Sequence, residues 1–202
     1  AQVQKFPIEY IFDKFKNPHL QKIYGASDIK GKFEGWGKNF VADVEATTYD
    51  GGFKPILGER IATKFTATYN KLDFDWHVFQ GNNQTGKAKL IVNIGARMAD
   101  GTRAKSFELD ADLKNHELEP SFPGMGLSGL ADGSIQLKGP TESFTGTAKG
   151  HIVDGGWLGV PIDEASTDIS LTKPKITFSN IKITPKSLRE IECTGPLVMD
   201  IL

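Results

Sequence analysis

From residue 28 onward the sequence switches side-chain polarity at almost every step, and it does so nearly to its end. Phe40, Ala42, Val44 and Ala46 are interleaved with Val41, Asp43, Glu45 and Thr47. Leu72, Phe74, Trp76 and Val78 are interleaved with Asp73, Asp75 and His77. The same pattern returns at Phe65/Ala67/Tyr69, Ile135/Leu137, Ile169/Leu171, Ile176/Phe178 and Ile181/Ile183. In an extended chain successive side chains point to opposite faces, so a period of two makes one face apolar and the other wet. A helix, with its period of 3.6, cannot use such a pattern. The reading is a mainly β chain of about a dozen antiparallel strands, with glycine, proline and aspartate at the turns.

Only the start differs. Ile8, Ile11, Phe12 and Phe15 recur at helical spacing, Pro7 suits a first helical turn, and Asn17-Pro18 is a stop. A short N-terminal amphipathic helix is expected there.

One hairpin can be placed by register. Asp100-Gly101 is a strong two-residue turn signal. With that pair as the loop, Ala88 faces Leu113, Leu90 faces Ala111, Val92 faces Leu109 and Ile94 faces Phe107, while Lys89 meets Asp112 on the other face. A slip of one residue would set every apolar side chain against a polar one. Strands of about ten residues reach roughly 34 Å, which is long for a globular sheet.

The chain also repeats itself. Phe40 is followed nine residues later by Tyr49-Asp50-Gly51-Gly52-Phe53, and Phe144 nine residues later by Val153-Asp154-Gly155-Gly156-Trp157. The offset of 104 residues also relates Asp28 to Asp132, Gly35 to Gly139, Phe65 to Ile169 and Lys71–Phe74 to Lys175–Phe178. Two similar units, about 28–78 and 132–182, within one repeat-built domain over 1–202 are expected, with the Asp-Gly-Gly segments in equivalent turns.

Chemistry is sparse. With 24 basic and 25 acidic residues, the net charge of −1 offers no basic surplus for nucleic acid. The single cysteine, Cys193, excludes an internal disulfide scaffold. No apolar stretch approaches the ~18 residues of a membrane-spanning helix. Gly124-Met125-Gly126-Leu127-Ser128-Gly129 spells a dinucleotide fingerprint, but a turn entering a strand surrounds it where strand and helix are required. His19, His77, His116 and His151 have no metal-ligand spacing. Asp73 and Asp75 share a strand face, yet it is the wet one, where solvated acids are ordinary. Asn83-Gln84-Thr85 is a glycosylation triplet that has meaning only in a eukaryotic secretory setting. Of the tryptophans, Trp76 belongs with the apolar face, whereas Trp36 and Trp157 sit beside glycines and suit stacking on sugars. No catalytic residue, metal or cofactor is assigned, and the chain is read as no enzyme.

What remains is the apolar face itself. A ten-residue helix cannot cover it, and each large apolar side chain left in water forfeits about 1.5–3 kcal/mol. The sheet must therefore fold onto itself as a sandwich or curl around an apolar ligand. On the second alternative the lining residues are Val44, Phe65, Phe74, Leu90, Val92, Ile94, Phe107, Leu109, Ala111 and Leu137.

Leu127-Ser128-Gly129-Leu130-Ala131-Asp132-Gly133-Ser134-Ile135-Gln136-Leu137-Lys138-Gly139, followed by Phe144-Thr145-Gly146-Thr147-Ala148, resembles the repeat of the AsmA-like superfamily, which includes the TamB-type translocation and assembly proteins. Asp28–Gly35 is a poorer copy, and the resemblance extends loosely over most of the chain from residue 28. It implies a curled, groove-forming (taco-like) sheet in the bacterial periplasm, guiding phospholipid or another acyl-chain ligand between inner and outer membranes. It further implies anchoring to the inner membrane by a segment outside this sequence, which then is a piece of a longer protein. Two other functions stay open: a closed β-sandwich binding glycans or surfaces, and an outer-membrane assembly factor that takes β-strands at its sheet edge.

Overall fold

The computed structural model describes residues 2–7, 9–12, 23–53, 56–97, 103–186, 191–192 and 195–200. Among them thirteen strands form one antiparallel sheet. In chain order they are β1 (Gln2–Pro7), β2 (Ile23–Glu34), β3 (Val41–Phe53), β4 (Ile56–Thr68), β5 (Lys71–Gln80), β6 (Asn83–Arg97), β7 (Arg103–Glu117), β8 (Leu127–Pro140), β9 (Thr145–Trp157), β10 (Val160–Thr172), β11 (Lys175–Pro185), β12 (Ile191–Glu192) and β13 (Leu197–Asp200). Two four-residue helices accompany them, α1 (Glu9–Phe12) and α2 (Leu118–Ser121). Each strand from β1 to β12 pairs with its sequence neighbour, and β13 pairs with β11 beside β12. The sheet is an open meander. No second sheet faces it among the described residues.

The N-terminal reading needs correction. Phe6 and Pro7 belong to strand β1, and the helix described is only Glu9–Phe12; Ile8, Phe15 and Asn17-Pro18 lie outside the described residues. The first strand of the meander needs a partner on its open side, and residues 2–7 provide one by pairing with β2. Proline is tolerated there because an edge strand has one side free of ladder bonds.

The hairpin also differs from expectation, by two residues. Val92 faces Phe107, Leu90 faces Leu109, Ala88 faces Ala111 and Lys89 faces Asp110. A shift of two returns every side chain to the same face, so alternation alone cannot distinguish the two registers. The observed one gives Leu113 room opposite Gly86, where an added Cβ would stand 3.3 Å from Leu113 Cδ1. It also sets Ala88 and Ala111 in line beside Trp76, leaving space for the indole. A register shift between Ile94 and Arg97, which the turn arithmetic assumed absent, takes up one residue of that difference. Asp100-Gly101 lies outside the described residues.

Asp50-Gly51-Gly52 and Asp154-Gly155-Gly156 are not turns. Both lie inside strands, β3 and β9. Asp50 and Gly51 together oppose the single residue Gly25, and Asp154 and Gly155 oppose Gly129. Each is a β-bulge, which bends its strand and increases the local twist. Asp50 and Asp154 both take φ of 46°, a left-handed conformation that aspartate tolerates better than most residues. A Cβ on Gly25 would stand 2.7 Å from Gly51 Cα, and one on Gly129 2.5 Å from Gly155 Cα, so only glycine fits either crossing. The matching strand pairs β2/β8, β3/β9, β4/β10 and β5/β11 each begin 104 residues apart.

Candidate functional site

Registers through the sheet align the apolar residues into rows that cross the strands. Val44, Phe65, Phe74, Leu90, Leu109, Leu137, Gly146, Leu171, Ile176 and Met199 stand side by side across ten strands. At ~4.8 Å per strand that row runs about 45 Å. A second row beside it holds Ile29, Ala46, Thr63, Trp76, Ala88, Ala111, Ile135, Ala148, Ile169, Phe178 and Leu197. A third holds Phe33, Ala42, Ala67, Leu72, Val92 and Phe107. Ile94 continues the parity of Val92 toward the strand end, opposite Lys105. All ten residues expected to line an apolar groove therefore share one face.

That face has almost no core behind it. Among the described residues the buried hydrophobic ones are Ala42, Ala67, Leu118 and Ala131, and the largest side chains fully buried are serines, Ser27 and Ser121. Phe65, Phe74, Trp76, Leu90, Leu109 and Leu137 are only half-buried. They cover one another in part: the Phe65 and Phe74 rings lie 4.5 Å apart, and Phe74 stacks on Trp76 at 5.1 Å. A closed domain of this size would bury its large apolar side chains outright.

The opposite face satisfies itself. Lys30, Glu45, Lys64, Asp75, Lys89 and Asp110 form one row, each charge beside the opposite sign on the next strand. Lys87–Asp112 at 3.1 Å and Lys149–Asp168 at 3.8 Å continue the theme. Cavities of about 940, 640 and 530 Å³ open on this charged side. Asp73 and Asp75 belong here as expected, paired with Lys71 at 3.0 Å and His77 at 3.3 Å.

One end of the apolar face is closed by polar groups, which the sequence reading missed. α2 packs on β8 and reaches back to β4 past the end of β5. His116 sits between Thr85 (Nδ1 to Oγ1, 2.9 Å) and Ser121 (Nε2 to Oγ, 2.7 Å), all three buried. Gln80 grips the Glu117 backbone twice: its amide Nε2 donates to the carbonyl and its Oε1 accepts from the N–H, both at 2.8 Å. Burial holds the His116 pKa below the usual histidine value, so the neutral ring is the stable form. On the neighbouring strands Ser27 and Thr48 share a buried hydroxyl–hydroxyl bond of 2.8 Å. The only hint in the sequence was that alternation lapses between residues 117 and 126.

The other sequence candidates are dispersed. Trp36 and Trp157 are exposed at opposite ends of the strands, so they form no joint platform. Thr85 of the glycosylation triplet is buried on His116. Gly124 and Gly126 lie in the turn after α2 and Gly129 in β8, so no helix follows the glycine-rich run. No group of metal-binding side chains occurs among the described residues, and no described helix is long and apolar enough to cross a membrane.

The fold and face define a class: a single-layered, open antiparallel sheet with one apolar face left uncovered. Comparison with protein-family models, curated proteins and solved structures gives no match.

Proposed function

We propose that this chain is an apolar-groove module of the AsmA-like type, guiding phospholipids between the inner and outer membranes of a bacterial envelope without catalysis. The observation that carries the reading is the ten-strand apolar row with no second layer over it. Acyl chains are the natural cover, because hydrophobic attraction scales with area and needs no directional partner. The rows consist mainly of aliphatic, aromatic and small side chains. They run across the strands, so a chain lying along them meets the same apolar wall at every position. On this reading β2–β5 and β8–β11 are two copies of one unit, each with a bulge, at Asp50 and Asp154, that bends its strand. A periplasmic location, and an anchor outside this sequence, belong to the same proposal.

Native mass spectrometry of the purified protein tests it directly. Co-purified phospholipid is expected from the wild type. It should be lost from a folded Val92→Asp or Leu109→Lys variant. A wild type that carries no lipid, or a folded variant that keeps its lipid, would overturn the reading; the closed β-sandwich left open by the sequence is already excluded by the single open sheet.

A further inference from the structure

The turn between β9 and β10 breaks two local rules at once. Leu158 and Gly159 both have positive φ, 49° and 83°, the geometry of a tight hairpin that asparagine-glycine fits best. Leucine is poorly suited to that backbone, and its side chain here is 72% exposed. Its neighbours are exposed too: Trp157 at 58%, Val160 at 53% and Met125 at 45%. The tip is not loose. The Leu158 N–H donates to the Gly126 carbonyl at 2.9 Å, and a Cβ on Gly126 would meet Leu158 Cδ2 at 3.1 Å. The backbone is thus held while the side chains project. Residues that violate both backbone and solvent preference in a fixed geometry mark function more often than accident.

We propose that this hairpin tip is a membrane-docking point that inserts shallowly into the interface of a lipid bilayer. The apolar side chains cap a convex hairpin end, and no charged residue occurs from Trp157 to Pro161. Behind it Asp154 pairs with Lys186 at 3.5 Å and Asp163 stands beside Asp154 on β10, so the nearest charges are set back along the strands from the tip. Tryptophan beside leucine and valine suits the headgroup–acyl boundary, where the ring is buried while its N–H stays wet. A protein partner would more naturally meet an apolar core rimmed by polar groups. Docking of this kind is separate from the groove reading, since lipid held in a groove is a co-purified monomer and the tip associates with intact vesicles.

Flotation with phosphatidylcholine vesicles is the test, together with quenching by brominated acyl chains. The wild type should float and its fluorescence should be quenched. Leu158→Asn suits the left-handed backbone, so its Tm should be unchanged or raised while vesicle partitioning falls about tenfold or more. Trp157→Phe should remove most of the vesicle-dependent quenching. The proposal is overturned if the wild type stays with the aqueous fraction, or if Leu158→Asn floats equally well. Vesicle-dependent quenching whose amplitude is unchanged by Trp157→Phe would overturn it as well.

Discussion

The two faces of this sheet share every strand and every backbone hydrogen bond, yet they end in opposite conditions. On the charged face each strand supplies the sign its neighbour lacks, from Lys30 through Asp110, and water supplies the rest. On the apolar face neighbouring strands supply only more of the same, from Val44 through Met199, and no second sheet covers it among the described residues. A charge is satisfied by one neighbour in the plane of the sheet. An apolar side chain is satisfied only when water is removed from above it. The difference therefore shows which face calls for something from outside.

Adjacent residues sharpen the contrast most. Val92 points to the apolar face, while Ile91 stands on the charged one between Asp73 and Glu108. Val92→Asp should reduce co-purified lipid by tenfold or more with the fold retained. Ile91→Lys should leave lipid unchanged and raise stability slightly, because it adds a cation between two acids. Equal lipid loss in both variants, read by native mass spectrometry, would erase the distinction between faces.

The bulges come next in size. Gly129→Ala would force a side chain into a φ of 109° and a 2.5 Å approach to Gly155 Cα. Denaturant unfolding should show a loss of about 2–3 kcal/mol. Gly159→Ala has positive φ with nothing within 4 Å, and should cost only about 1 kcal/mol. If the two costs are equal, the close backbone crossing is not what requires glycine.

The closed end of the apolar face should respond to pH. The His116 pKa is lowered in the folded state, so the unfolded chain takes up the proton first as pH falls below about 6.5. Stability is then full above that value and declines as pH drops toward the depressed folded pKa. A Tm series from pH 7.5 to 5 should fall more steeply for wild type than for His116→Gln, and parallel slopes would remove His116 from the effect.

The smallest change belongs to the charged face. Lys89→Glu sets three acids in a row with Asp75 and Asp110 and should cost a few tenths to about 1 kcal/mol. Added salt should shrink that cost. A loss as large as that of Gly129→Ala would mean this face is not self-sufficient in the way its alternating signs indicate.

The sequence by itself determined which side of the sheet each residue would occupy. Val44, Phe74, Leu109 and Leu137 fall on one face because a period of two is a property of each strand alone, needing no knowledge of its neighbours. Tertiary structure decided the rest. Alternation is indifferent to a slip of two residues, so Val92 could be matched with Leu109 on paper, while Gly86, Leu113 and Trp76 selected Phe107 in space. Asp50-Gly51-Gly52 reads locally as a turn. It is a bulge because Gly25, some twenty-five residues earlier, passes too close for any side chain. The bond between His116 and Thr85 spans 31 residues and rests on bulges in two strands, which no local pattern encodes. Local periodicity is written residue by residue, whereas register, crossings and closure depend on which distant backbone arrives alongside.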